Sequence, residues 1–194
     1  MTKFIRLFSL LFFFSLIGFS QISKVHYIPP LTANDLQQGG GGSIPYDQHL
    51  YLSTPSTSDV TVKITILSTG QEITYTDLRN NNPKVYQLTV NNPNQEQALN
   101  GVLFVDKDST GNNTLSSGLV IEADCPVYAS IRYNAGAQAG ALVSKGDASL
   151  GTHFRTGMMT NGNQNEENQA QNTTNSHNLN FISVMATEDN TKIR

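Results

Sequence analysis

The chain has 194 residues, a net charge of −3 and only 14 % charged side chains, against a usual share of about 25 %. This balance argues against a nucleic-acid binder, which needs a basic patch, and against helices, whose outer faces normally carry Glu, Lys and Arg. Asn, Gln, Ser, Thr and Gly take the place of charge, which suits exposed strands and long turns.

The first twenty residues read as a secretory signal peptide. Lys3 and Arg6 form a short basic region, an apolar run follows from Leu7 to Phe19, and Gly18-Phe19-Ser20 puts small residues before a cut. The expected cleavage lies between Ser20 and Gln21. The run is shorter than the roughly 20 residues of a membrane-spanning helix, and no later segment is long and apolar enough to span. Loss of Lys3 and Arg6 leaves 10 basic against 15 acidic residues, a net charge of −5. The protein is therefore expected outside the cytoplasm, secreted or at the outer cell surface.

In the mature part, 21–194, "KVHYIPP" is a short extended opener stopped by two prolines. "NDLQQGGGGSIPYDQ" is a loop, because four consecutive glycines hold neither helix nor strand. "HLYLS" alternates and predicts a strand. "VTVKITIL" puts Val60, Val62, Ile64 and Ile66 on one face and Thr61, Lys63 and Thr65 on the other, the strongest period of two in the chain. "STGQ" turns it back into "EITYT", and "KVYQLTV", "GVLFV", "SGLVIEA" and "CPVYASIRY" predict further strands. The last alternates Val127, Ala129 and Ile131 against Tyr128, Ser130 and Arg132. "HFRTG" reads as a short strand, 160–178 as an Asn/Gln-rich loop, and "LNFISVMA" as a strand turned by "TEDN".

No window makes an amphipathic helix. The expected class is all-β, antiparallel sheets packed as a sandwich-like module, with propeller-like blades as the alternative. Tyr51-Leu52-Ser53, Thr57, Asp59 and Thr61 recur in order as Phe181-Ile182-Ser183, Thr187, Asp189 and Thr191. This predicts a duplicated module whose second copy starts within 179–194 and is truncated, so that the chain is an N-terminal fragment.

Candidate sites follow from motifs. "NAGAQAGALVSKGDASLGTHFRTG" has the glycines and lysine of a phosphate loop, but Gly146 stands where a Ser or Thr would meet Mg²⁺ and no helix follows. Turns between strands are the favoured reading of these glycines. "DKDSTGNNTLSS" places Asp106, Asp108 and Gly111 at the first, third and sixth positions of a calcium loop, while Ser117 replaces the closing Glu. A polar hairpin turn is favoured there, with a weak extracellular Ca²⁺ site as the alternative. Glu188 and Asp189 are adjacent and are read as turn residues before acid and base. The four histidines lack metal spacing, and neither H-E-x-x-H nor G-x-S-x-G occurs. Cys125, the single cysteine, is expected to be a small buried hydrophobe. No catalytic residues and no nucleotide or other cofactor are expected.

"GLVIEADCPVYASIRY", "GALVSKGDASLGTHFRTG" and "NFISVMATEDNTKIR" together resemble the N-terminal domain family named after IgG-Fc-binding protein, in its bacterial form. Such domains open large surface proteins of gliding bacteria that are exported by type IX secretion. The resemblance implies an all-β extracellular module that is not an enzyme, with a sorting segment farther along the chain. It also implies that Lys145 and Gly146 turn the chain, Leu150 fills the core, and Phe154 and Arg155 start a strand. The expected function is adhesion or recognition of an extracellular glycan or protein, through strand-end loops at 39–42, 106–117 and 161–178. Tyr46, Tyr75 and Tyr133 are candidates to stack on sugars, though core packing is the favoured reading of each. The alternative is a structural spacer or the accessory front of a larger extracellular enzyme.

Overall fold

The computed structural model describes residues 21–32, 46–88, 102–105, 111, 117–135, 138–156 and 182–193. The fold is all-β. The strands in chain order are β1 (Ser23–Ile28), β2 (Leu31–Thr32), β3 (Tyr46–Ser53), β4 (Val60–Ile66), β5 (Gln71–Leu78), β6 (Lys84–Gln87), β7 (Phe104–Val105), β8 (Leu119–Ala135) and β9 (Gln138–Val143). Seven of them form one curled antiparallel sheet, a half-barrel, while β2 and β7 make a short parallel pair.

The 17-residue β8 organises the sheet. Its first half pairs with β1 and β4, and its second half with β3 and β9. β5 extends the first half beyond β4, and β6 the second beyond β3. The sequence suggests two strands here, "SGLVIEA" and "CPVYASIRY". The structure joins them into one that bends where the register against β1 jumps from Val25↔Glu122 to Ser23↔Val127. A strand that passes from one sheet direction to another through a bulge is how sheets turn corners.

That corner corrects the expectation for Cys125. Period two puts it on the inward side with Ile121 and Val127, both fully buried. At the bend the chain leaves the layer, so Asp124, Cys125 and Pro126 are all exposed, and Cys125 is a free surface thiol. A thiol reagent should therefore label Cys125 in the native protein at a rate unaffected by low denaturant. Labelling that awaits opening of the fold would show a buried thiol instead.

Elsewhere the alternation holds. Val60, Val62, Ile64 and Ile66 of β4 are buried, with Leu119, Ile121, Val127, Ala129 and Ile131 of β8 and Leu50 and Leu52 of β3. They form one cluster that both halves of the sheet share. Leu103 and Phe104 cover it from the β2–β7 pair, held by the Leu31 N–H donating to the Leu103 carbonyl at 2.6 Å.

Three expectations are corrected after β9. Leu150 is 48 % exposed and Phe154 62 % exposed, so neither fills the core. Residues 151–156 carry no strand, and neither do 182–186. Among the described residues, no strand pairs with 150–154 to give Leu150 and Phe154 a cross-strand neighbour on which to pack. Ile182 and Val184 point out, while Met185 packs on Gly118. The "TEDN" turn is present: Asn190 has φ 60° and Thr191 Oγ1 donates to the Glu188 carbonyl at 2.7 Å.

Candidate recognition face

The outer faces of the two halves differ. Over β5, β4 and the first half of β8 the face is solvated. Lys63 meets Glu122 at 2.8 Å and Glu72 at 3.3 Å, and Glu122 first, then Glu72, hold its ammonium pKa above the ordinary value. At the β5–β6 turn the hydrogen bonds from Lys84 and then Asn82 hold the Asp77 carboxyl below its ordinary value. Exposed pairs of this kind add little stability. They mark a surface at peace with water.

Over β6, β3, the second half of β8 and β9 the face is apolar in the middle. The register places Val85 opposite Tyr51, Tyr51 opposite Ser130, and Ser130 opposite Val143, in one row across four strands. Tyr128, opposite Ser53, sits at the next outward position of β8. Val85, Tyr51, Tyr128 and Val143 are 38–50 % exposed. Apolar side chains gathered on an exposed sheet face are a common sign of a binding surface.

Beside this row lies an open cleft of about 590 Å³ lined by Asp47, His49, Tyr51, Arg132, Tyr133, Asn134 and the small residues of β9, Ala139 to Ala141. Its polar groups are positioned by the backbone. Between Tyr46↔Asn134 and His49↔Arg132 the register shifts by a bulge, and there Asp47 takes φ 48°. Asp is among the few residues that tolerate this left-handed conformation, and bulges re-aim side chains. Asp47 Oδ2 accepts from Asn134 Nδ2 at 3.1 Å. Asp47 Oδ1 is buried and accepts no hydrogen bond. His49 Nδ1 donates to the Asp47 carbonyl at 2.8 Å, which leaves Nε2 as an acceptor. The Arg132 guanidinium lies 5.4 Å over the Tyr51 ring, whose other neighbour is the His49 ring at 6.1 Å. Lys63, Arg79 and Lys84 each meet a carboxylate, whereas Arg132 meets none among the described residues.

Of the residues singled out from sequence, Tyr133 borders this cleft while its ring packs inward; the others described lie away from it. Asp106, Asp108 and Ser20 lie outside the described residues, as do the loops 39–42 and 161–178, and Gln21 is exposed. Among the described residues no three His, Cys, Asp or Glu side chains are grouped to hold a metal ion. Of the tyrosines, Tyr133 packs edge-on to Phe104 at 4.9 Å and Tyr75 packs against the core, while the Tyr46 side chain is outside the described residues. The lysine–glycine stretch forms a 3-10 turn, Gly146–Ser149, docked on β1. Ser23 Oγ donates to Asp147 Oδ2 at 2.7 Å, so a carboxylate occupies the turn where a phosphate loop would hold its anion.

Sequence reasoning passed over Asp47, His49, Arg132 and Asn134 as a group. The outward positions of His49 and Arg132 are readable from alternation, but not those of Asp47 and Asn134, nor the pairing that sets His49 beside Arg132. No protein-family model, curated protein or solved structure matches the chain.

Proposed function

We propose that the chain is a non-catalytic recognition module, secreted or held at the outer cell surface, that binds a glycan on the outer face of β3, β8 and β9. This places recognition on a sheet face beside the apolar row and not on the strand-end loops. The observation that carries the reading is the contrast between the two outer faces. One half of the sheet carries threonines and charges that meet one another, Lys63 with Glu72 and Glu122. The other shows Tyr51, Tyr128, Val85 and Val143 next to the polar cleft of Asp47, His49, Arg132 and Asn134. Tyrosines edged by planar amide, carboxylate and guanidinium groups suit a sugar, whose C–H faces are apolar and whose rim is hydroxyl. The resemblance to surface modules of type IX-exported proteins supports the extracellular setting, as does the leader ending at Ser20.

A glycan array probed with the purified protein tests this. Retention should fall about tenfold when Tyr51 and Tyr128 are both changed to Ala, and should be unaffected by Glu122→Gln on the solvated half. Retention by immobilised proteins with no glycan dependence would favour a protein ligand. No retention on any surface would favour the structural spacer or accessory front domain.

A further inference from the structure

We infer that this cleft takes an acidic saccharide, a hexuronate-type residue whose carboxylate meets Arg132 while its hydroxyls meet Asp47 and His49. The inference rests on the glycan reading above and narrows it to a ligand class.

Arg132 is the first ground. Its guanidinium is held over the Tyr51 ring and no carboxylate of the described residues spends its donors. A guanidinium is planar, and one held over a ring can still offer two parallel N–H groups to a carboxylate. The Asp47 carboxylate is the second. One oxygen is engaged by Asn134, and the other is buried without a donor. The engaged oxygen, Oδ2, is the one on the exposed side, and a carboxylate oxygen has lone pairs for a second donor, so a ligand hydroxyl can join Asn134 there. Together these groups ask for a ligand that is anionic at one end and a hydroxyl donor at the other. A simple anion satisfies only Arg132, and its oxygens would face Asp47 with like charge. A neutral sugar satisfies only Asp47.

The spacing fits one sugar ring. Arg132 and Asn134, the latter carrying Asp47, are two residues apart on one face of β8. That is about 7 Å along a strand, the scale from the carboxylate of a pyranuronate to its distant ring hydroxyls. His49, directly opposite Arg132, adds its Nε2 as a further acceptor. Ala139 and Ala141 on β9 rise no farther than a methyl group, so one side of the cleft stays open to the neighbouring sugars of a chain.

The test compares one saccharide in two charge states. The purified protein is titrated calorimetrically with short hexuronate oligomers (galacturonate, glucuronate and mannuronate) and with the same oligomers after methyl esterification of their carboxylates. At least one acid form should bind about tenfold or more tightly than its ester. Arg132→Gln should erase that difference, leaving acid and ester alike, while circular dichroism stays unchanged. Asp47→Asn should weaken acid and ester together. Acid and ester binding equally to the native protein would overturn the inference and leave the glycan reading standing. Binding of neutral glycans from the array with none of the uronates would do the same. No saccharide binding in either form or on the array would remove both.

Discussion

Replacing His26 with alanine should lower the unfolding free energy by about 3–4 kcal/mol, as much as truncating a large apolar core side chain. His26 sits on β1 and is fully buried. Its Nε2 is 2.8 Å from the Val127 carbonyl, which only accepts, so Nε2 carries the proton. Its Nδ1 is 3.0 Å from Ser144 Oγ. With the ring proton on Nε2, Nδ1 accepts from Ser144 Oγ, which itself accepts from the Gly146 N–H at 3.3 Å. One directed chain of hydrogen bonds thus runs from the turn after β9, through the imidazole, to the first carbonyl past the bend of β8.

The position explains the expected size. β8 changes neighbours at Ala123–Val127, and a ladder broken by a bulge leaves backbone groups to be satisfied by side chains. Thr54 Oγ1 does this for the Pro126 carbonyl at 2.9 Å, and His26 does it for Val127. Alanine at 26 would strand a buried carbonyl and a buried hydroxyl and open a cavity the size of the ring. Urea unfolding followed by circular dichroism reads the change as a shift of midpoint at constant slope. A loss below about 1 kcal/mol, within the range of ordinary surface substitutions, would mean that the bend is held by the packing of Val127 and Ala129 alone.

The same corner shows what could be read in the sequence. The period of two in "VTVKITIL" fixes which side of β4 is inside, and the buried row of Val60, Val62, Ile64 and Ile66 follows from it. "ADCPV" breaks the pattern, and a break looks alike whether a strand ends or bends. Only the pairing of Glu122 with Val25 and of Val127 with Ser23 distinguishes the two, and pairing is a long-range property. Cys125 was misplaced for that reason: its parity is inward, but the bulge carries it out. Leu150 and Phe154 are the converse, apolar residues in a strand-like pattern with no neighbouring strand among the described residues to cover them.

The candidate site was half legible. The outward set of "CPVYASIRY" contains Tyr128 and Arg132, and that of "HLYLS" contains His49 and Tyr51. Each set reads alone as an ordinary solvent face. Their meaning comes from lying side by side, Tyr51 opposite Ser130 and His49 opposite Arg132. The left-handed backbone at Asp47 had no sequence signal of its own, because Asp is common in turns of every kind.

Gly146→Ala is the second substitution with a large expected effect, about 3 kcal/mol. Two separable causes combine. Gly146 has φ +52°, where any residue with a Cβ is strained. A Cβ there would also overlap the Ser23 Cβ and stand 3.0 Å from the Val25 carbonyl. Ser23 cannot simply yield, since its Oγ donates to Asp147 at 2.7 Å and accepts from the Val25 N–H at 3.3 Å. Movement of Ser23 would also disturb its pairing with Val127 at the bend. Gly70→Ala supplies the comparison. Gly70 has φ +68°, but a Cβ there meets nothing within 4 Å. It should cost only the backbone strain, about 1 kcal/mol. The difference between the two variants measures how closely the turn is seated on β1. Equal losses would mean that the turn and β1 separate freely, and the glycine of this lysine–glycine stretch would then be needed for backbone conformation alone.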